Sequence, residues 1–287
     1  MKNTVLSAKA SPFPCLLFTA VTLLVASVLA RPVMAHEFWI DPLAYQVDPG
    51  VPATANLRNG EMFHGVNIAR FSDRFERLEW ARGDETHMIP GRDGDRPAFV
   101  LADPGPGLTT LLYVSSGDKL IYDSWEIFER FTRDKGFPGA VARHDARGLP
   151  RENVSEEYYR FCKALVAVGD GRGADRFRGM RAEIVALGNP YSDDPAQGLK
   201  VRILQDGVPR AGAFLDVFRR DPAVGVDKTH MQADAHGEVS VPLVPGSDYM
   251  LSAVMLREGA APTDPGAPMW ESDWASLTFA VPEKPLE

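Results

Sequence analysis

From residue 36 onward, turn-forming residues cut the chain into short apolar segments, and this punctuation limits the fold more than any other feature. The 25 glycines and 23 prolines are spread along all 287 residues and form no repeat. Short apolar runs bounded by Asp48-Pro49-Gly50, Gly91-Arg92-Asp93-Gly94 and Pro104-Gly105-Pro106-Gly107 suit strands better than helices. Residues 36–122 therefore read as β-rich, with candidate strands at Glu37–Ile40, Thr54–Arg58, Arg74–Trp80, Ala98–Leu101 and Thr109–Ser115.

The middle of the chain reads differently. Trp125–Lys135 carries Ile127, Phe128 and Phe131 at helical spacing, with Gly136 as a stop. Ser155-Glu156-Glu157-Tyr158 looks like the start of a second helix, whose apolar face would be Tyr158, Tyr159, Phe161, Cys162, Leu165 and Val166, ending at Gly169–Gly173. From Met180 the pattern returns to strands. Glu183–Leu187 could rejoin the first domain, and Asn189–Pro195 is the best linker candidate. The remainder suggests about seven short strands, among them two around Asp206-Gly207-Val208-Pro209, then Val239–Leu243, Tyr249–Leu256 and Trp274–Val281. The expected fold is mainly β. It has two β-sandwich domains, immunoglobulin-like or transthyretin-like, over 36–192 and 196–287, with a helical insert at about 123–170 in the first.

The first 35 residues read as a secretory signal peptide. Lys2 and Lys9 make a positive start, Cys15–Ala30 an uncharged apolar run, and Val33-Met34-Ala35 a small-residue cleavage site. The apolar run is short for a membrane span of ~20 residues. Cys15 opens that run and does not close it, which argues against a lipoprotein. The mature chain is expected to start at His36, in the periplasm or outside the cell, with no membrane-spanning segment. Cleavage removes Lys2, Lys9 and Arg31 from the 31 basic residues and none of the 39 acidic ones, so the mature charge is 28 − 39 = −11. Such an acidic protein will not seek nucleic acid. Only Cys162 remains, so no internal disulfide can form and the fold must hold by its core. On an apolar face this lone cysteine reads as core, not as a nucleophile.

His-Glu-Phe-Trp-Ile-Asp-Pro directly after the signal, EEYYRFCKALVAVG, RAEIVALGNPY, DGVPRAGA and the C-terminal WESDWASLTFAV together resemble a bacterial periplasmic domain family of unknown function. Its members are often labelled as periplasmic components of ABC-type nickel or cobalt transport, and some carry a lysozyme-type glycosidase label. The resemblance spans the whole mature chain. It implies metal binding and a membrane metal transporter as partner.

His36 is the most informative single residue. At a mature N-terminus it offers both an α-amine and an imidazole, which together close a chelate ring. The α-amine has a pKa near ~8, so a metal displaces its proton at neutral pH at modest cost. Nitrogen ligands suit nickel, cobalt, copper or zinc better than magnesium or calcium. A second ligand must come from His64, His87, His144, His230 or His236. His64 is the first choice, because Asn59-Gly60-Glu61-Met62-Phe63-His64-Gly65 is a Gly-bracketed loop that presents Glu61 with it, and Met62 for a soft metal. His230 and His236 are six residues apart, which matches no strong zinc motif. His87 and His144 stand beside charged or turn residues and read as solvated.

Glu37, Asp41, Asp123, Glu126, Glu271 and Asp273 stand beside aromatics and could form an acid/base pair if desolvated. Acidic residues on sandwich edges are mostly solvated, and no nucleophile elbow, phosphate loop or His-Glu-x-x-His is present. Phe38, Trp39, Trp270 and Trp274 read as core. The expected role is a transition-metal-binding protein, for nickel, cobalt or copper, that assists metal uptake through His36, Glu61 and His64. It is not expected to be an enzyme, although copper redox chemistry built on the same nitrogen ligands stays open. The alternative is a metal-free cell-envelope interaction or carbohydrate-binding protein.

Overall fold

Turns and strands dominate the computed structural model, which describes residues 36–260 and 266–286. The expected signal peptide and cleavage site, residues 1–35, lie outside the described residues. The chain first lays down β1 (Glu37–Pro42), β2 (Gln46–Val47), β3 (Ala53–Glu61), β4 (His64–Ile68), β5 (Phe75–Arg82), β6 (Glu85–Met88), β7 (Phe99–Leu101), β8 (Gly107–Ser115) and β9 (Asp118–Ile121). Two helices follow, α1 (Trp125–Asp134) and α2 (Ala140–Ala146). Then come β10 (Ser155–Val168), β11 (Ala182–Ala186), β12 (Leu199–Gln205), β13 (Val208–Pro209) and β14 (Phe214–Asp221). The last strands are β15 (Gly225–Gln232), β16 (Glu238–Val241), β17 (Asp248–Glu258) and β18 (Trp270–Ala280). The fold is mainly β, as the punctuation of the sequence implies.

Three sheets result. β1, β3, β4 and β7 form the first. The second has ten strands, in the order β15-β14-β17-β18-β10-β8-β5-β6, with β2 and β9 also paired to β10. β11, β12, β13 and β16 form the third. Strands from both sides of residues 189–195 thus hydrogen-bond within one sheet. That stretch carries Tyr191, fully buried, whose hydroxyl donates to the Leu165 carbonyl at 2.6 Å.

β10 shows how the layers stack. Its side chains alternate between faces. Cys162, Ala164 and Val166 join the core under the first sheet, with Ile40, Leu57 and Leu111. Phe161, Leu165 and Ala167 join the core under the third sheet, with Ile184, Val201 and Leu277. The helices cover a further part of the large sheet, where Phe128 and Phe131 meet Trp270 and Trp274.

One expectation needs correction. The second helix expected from Ser155 is the 14-residue strand β10, so of the insert at 123–170 only 125–134 and 140–146 are α-helical. A strand buried on both faces reads as a nearly continuous apolar run, without the alternation of a half-buried one. β10 also pairs in parallel with β18, a contact between residues more than a hundred positions apart that no local pattern announces. Glu183–Leu187 overlaps β11, which pairs with β12 from Ala182↔Gln205 to Ala186↔Val201.

Candidate functional site

β3 and β4 are joined by a two-residue turn in which Met62 and Phe63 have φ of 50° and 58°. Two successive positive φ values make the tight hairpin turn that matches strand twist, usually occupied by Asn-Gly. A bulky residue there is strained. Burial of Phe63 offsets that strain: it is 3% exposed, edge-on to Trp39 at 5.9 Å, with the Arg220 guanidinium over its ring at 4.5 Å. The bracketing glycines are needed for close approach. A Cβ on Gly60 would stand 2.0 Å from the His64 carbonyl oxygen, and one on Gly65 2.5 Å from that of Asn59.

This hairpin sets the three expected ligands in one row. Glu37 pairs with Gly60 across β1 and β3, and Glu61 pairs with His64 across β3 and β4. One residue before Glu37, His36 lies beside Glu61, with Nε2 3.9 Å from Oε1. Directly paired residues point to the same face. Glu61 and His64 therefore are neighbours on β3 and β4, and His36, just before β1, stands on the other side of Glu61. All three are at least partly exposed. The structure does not gather them to a point. Among the described residues, no three His, Cys, Asp or Glu side chains converge as a metal-holding group. The two donors in reach of one another are the His36 imidazole and the Glu61 carboxylate. Among the described residues, no second histidine is in contact with His36.

Behind the row lies a charge cluster that the sequence reading did not find. Lys135, at the end of α1, donates to Glu37 at 3.2 Å and to Asp216 at 2.8 Å. Lys228 and His230 reach the same Asp216 at 3.1 and 2.6 Å. Burial works to raise the Asp216 carboxyl, but Lys135 and Lys228 outweigh it and hold it below the usual carboxylate range. Arg160 also touches the site, donating from Nη2 to the His36 carbonyl oxygen at 3.0 Å. The available signal was a charge embedded in an apolar strand run, as Arg160 and Lys163 are.

The other histidines go elsewhere. His144 is fully buried, contrary to the solvated reading. Its Nδ1 accepts from the Trp270 indole at 3.1 Å, and its Nε2 lies 3.0 Å from the Pro150 carbonyl oxygen. A short helix folded over Trp270 does this, which a local reading of charged neighbours cannot see. His87 stacks on Trp80 at 4.5 Å and stays half exposed. His230 is engaged by Asp216, and the His236 backbone N–H donates to Asp234 in a turn.

Three of the carboxylates named for acid/base chemistry are buried and ion-paired, against the solvated expectation. Asp41 meets Arg58 at 2.7 Å and Arg220 at 3.3 Å, Asp273 meets Arg181 and Arg257, both at 2.6 Å, and Glu37 meets Lys135. Cys162 is buried and its thiol is pushed up to about 12 by burial, so it is inert as a nucleophile. Trp39, Trp270 and Trp274 are core residues.

A family described as "Domain of unknown function (DUF4198)" matches residues 33–257. No curated protein matches the chain. Among solved structures, a mutant of Salmonella alpha-2-macroglobulin aligns at 13% identity with a TM-score of 0.21. That alignment takes in 86% of this chain, which spans only 15% of the other.

Proposed function

The chain belongs to the DUF4198 family, and from that premise we propose that it is an exported transition-metal-binding protein that carries nickel, cobalt or copper to a membrane uptake system. The reading rests on one observation above all: the first residue of the expected mature chain lies beside Glu61, with His64 next in the same register row. In this reading the ion is cargo. The α-amine and imidazole of His36 chelate it, Glu61 supplies a neutralising carboxylate, and His64 closes over it. A half-exposed row on a hairpin suits a site that must load and unload. Nitrogen donors with one carboxylate favour late first-row metals over magnesium or calcium. Affinity should fall as pH drops, because protons compete with a metal ion for nitrogen donors.

The test is calorimetric titration of Ni²⁺, Co²⁺ and Cu²⁺ into protein that begins at His36 and into protein with one extra N-terminal residue. The extended chain is expected to bind on the order of tenfold more weakly or worse, a difference of about 1.4 kcal/mol. Equal affinity for the two would sink the chelate. Glu61→Gln and His64→Ala then report which side chains complete the shell. N-terminal sequencing of the secreted protein checks that the chain starts where the reading needs it to.

A further inference from the structure

A second site lies on the same sheet face, one row further in. Phe38 pairs with Asn59, and Asn59 with Val66, two residues along from His36, Glu61 and His64. Of these, Phe38 and Asn59 line a cleft of about 330 Å³ that also takes in residues of β8 and β10 in the large sheet. That size is at the lower end for small-molecule sites. Its walls are aromatic. Phe38 stacks on Tyr113 at 5.2 Å, Phe75 tilts against Tyr113 at 6.2 Å, and Phe71 and Tyr158 also line the space. Phe71 is 44% exposed, a large apolar side chain left without full cover.

One cation in this wall has no direct ion-pair partner among the described residues. Arg74 lines the cleft but is paired with Asp118 at 3.5 Å. Arg160 has no carboxylate within ion-pair distance among the described residues. Its guanidinium lies over Trp274 at 4.3 Å and Tyr158 at 5.0 Å, and its Nη2 serves the His36 carbonyl. Its Nη1 is buried and has no acceptor within the protein. Leaving a buried donor unpaired is costly, more so on a charged group. Burial pulls the Arg160 guanidinium below its ordinary range, and the more distant charges of Glu156 and Glu37 only partly offset it.

We propose that this cleft binds a small organic monocarboxylate with an aromatic or other flat apolar body, its carboxylate on Arg160 and its body between Phe38, Phe71, Phe75 and Tyr113. The fork of a guanidinium fits a carboxylate in two parallel hydrogen bonds. A single free cation matches a single negative charge. A dianion such as phosphate would face Asp118 in the same wall with only Arg160 to neutralise it. A metal cation is disfavoured there by the same guanidinium. The site therefore does not depend on the metal reading, although both touch residue 36.

Benzoate is a direct probe, with benzamide as its neutral counterpart and inorganic phosphate as the anion without an apolar body. Titrations use the processed full chain in buffers freed of metal on a chelating resin, so failure of the metal site cannot affect the result. Benzoate is expected to bind at least tenfold more tightly than benzamide or phosphate. Arg160→Gln should abolish that preference and Phe71→Ala should weaken benzoate severalfold. In the wild-type protein, ¹⁵N resonances of the Arg160 side chain should shift with benzoate and not with benzamide, a readout that needs no variant to fold. Benzoate and benzamide binding equally, neither binding, phosphate outcompeting benzoate, or undiminished benzoate binding by a folded Arg160→Gln protein would each overturn the proposal.

Discussion

Arg160 and Lys163 stand three residues apart on β10, on opposite faces of the strand, and both carry a charge into the protein. Lys163 is sealed at 0% exposure between Asp175 at 2.7 Å and Glu183 at 3.0 Å, and also donates to the Arg176 carbonyl. Glu183 accepts in turn from the backbone N–H groups of Arg178 and Met180, and Asp175 from that of Ala186. That set helps close the third sheet over β10, with only Asp175 Oδ1 left without a hydrogen-bond partner. Arg160 has one carbonyl acceptor and two ring faces, beside a cleft. A buried cation with both carboxylates supplied by the fold is architecture. One with no carboxylate in direct contact keeps bonding capacity for something else.

Stability measurements can break this comparison. Lys163→Met should cost the most, about 3–5 kcal/mol in urea unfolding, because it leaves two carboxylates buried without their cation. Arg160→Gln should change stability by no more than about 1 kcal/mol, since it removes one hydrogen bond and some ring contact but also a charge with no direct ion-pair partner. Equal losses at the two positions would make Arg160 as structural as Lys163.

The smallest effect is expected from pH. Asp216 sits below its ordinary carboxylate value in the folded protein because Lys135 and Lys228 face it. A depressed carboxylate contributes stability above its unfolded pKa near 3.8 and loses it as pH falls through the folded value. Wild type should therefore outlast Asp216→Asn at pH 6, and the gap should close in thermal melts taken progressively below pH 4. A gap that widens with acid would show that Lys135 and Lys228 do not hold the charge.

Much of the β architecture is legible locally. Trp125–Lys135 reads as a helix because its apolar residues fall on one side, and the structure has α1 there. Glu37–Ile40 and Thr109–Ser115 lie within β1 and β8. β10 is not legible, because a strand covered on both faces loses the period of two and leaves an apolar run that a helix could also own. His144 failed for a related reason: its burial under Trp270 is made by residues 126 positions away.

The same division holds for the sites. Local sequence was enough to single out His36, Glu61 and His64, because an expected N-terminus and a glycine-bracketed hairpin are short-range features. Tertiary structure decided that these three share one row, through pairing of β1 with β3, and that Arg160 lacks the partners Lys163 has. Strand registry and counter-charge depend on which sheet closes over which face. That is settled by burying the whole core at once, and no window of neighbouring residues contains it.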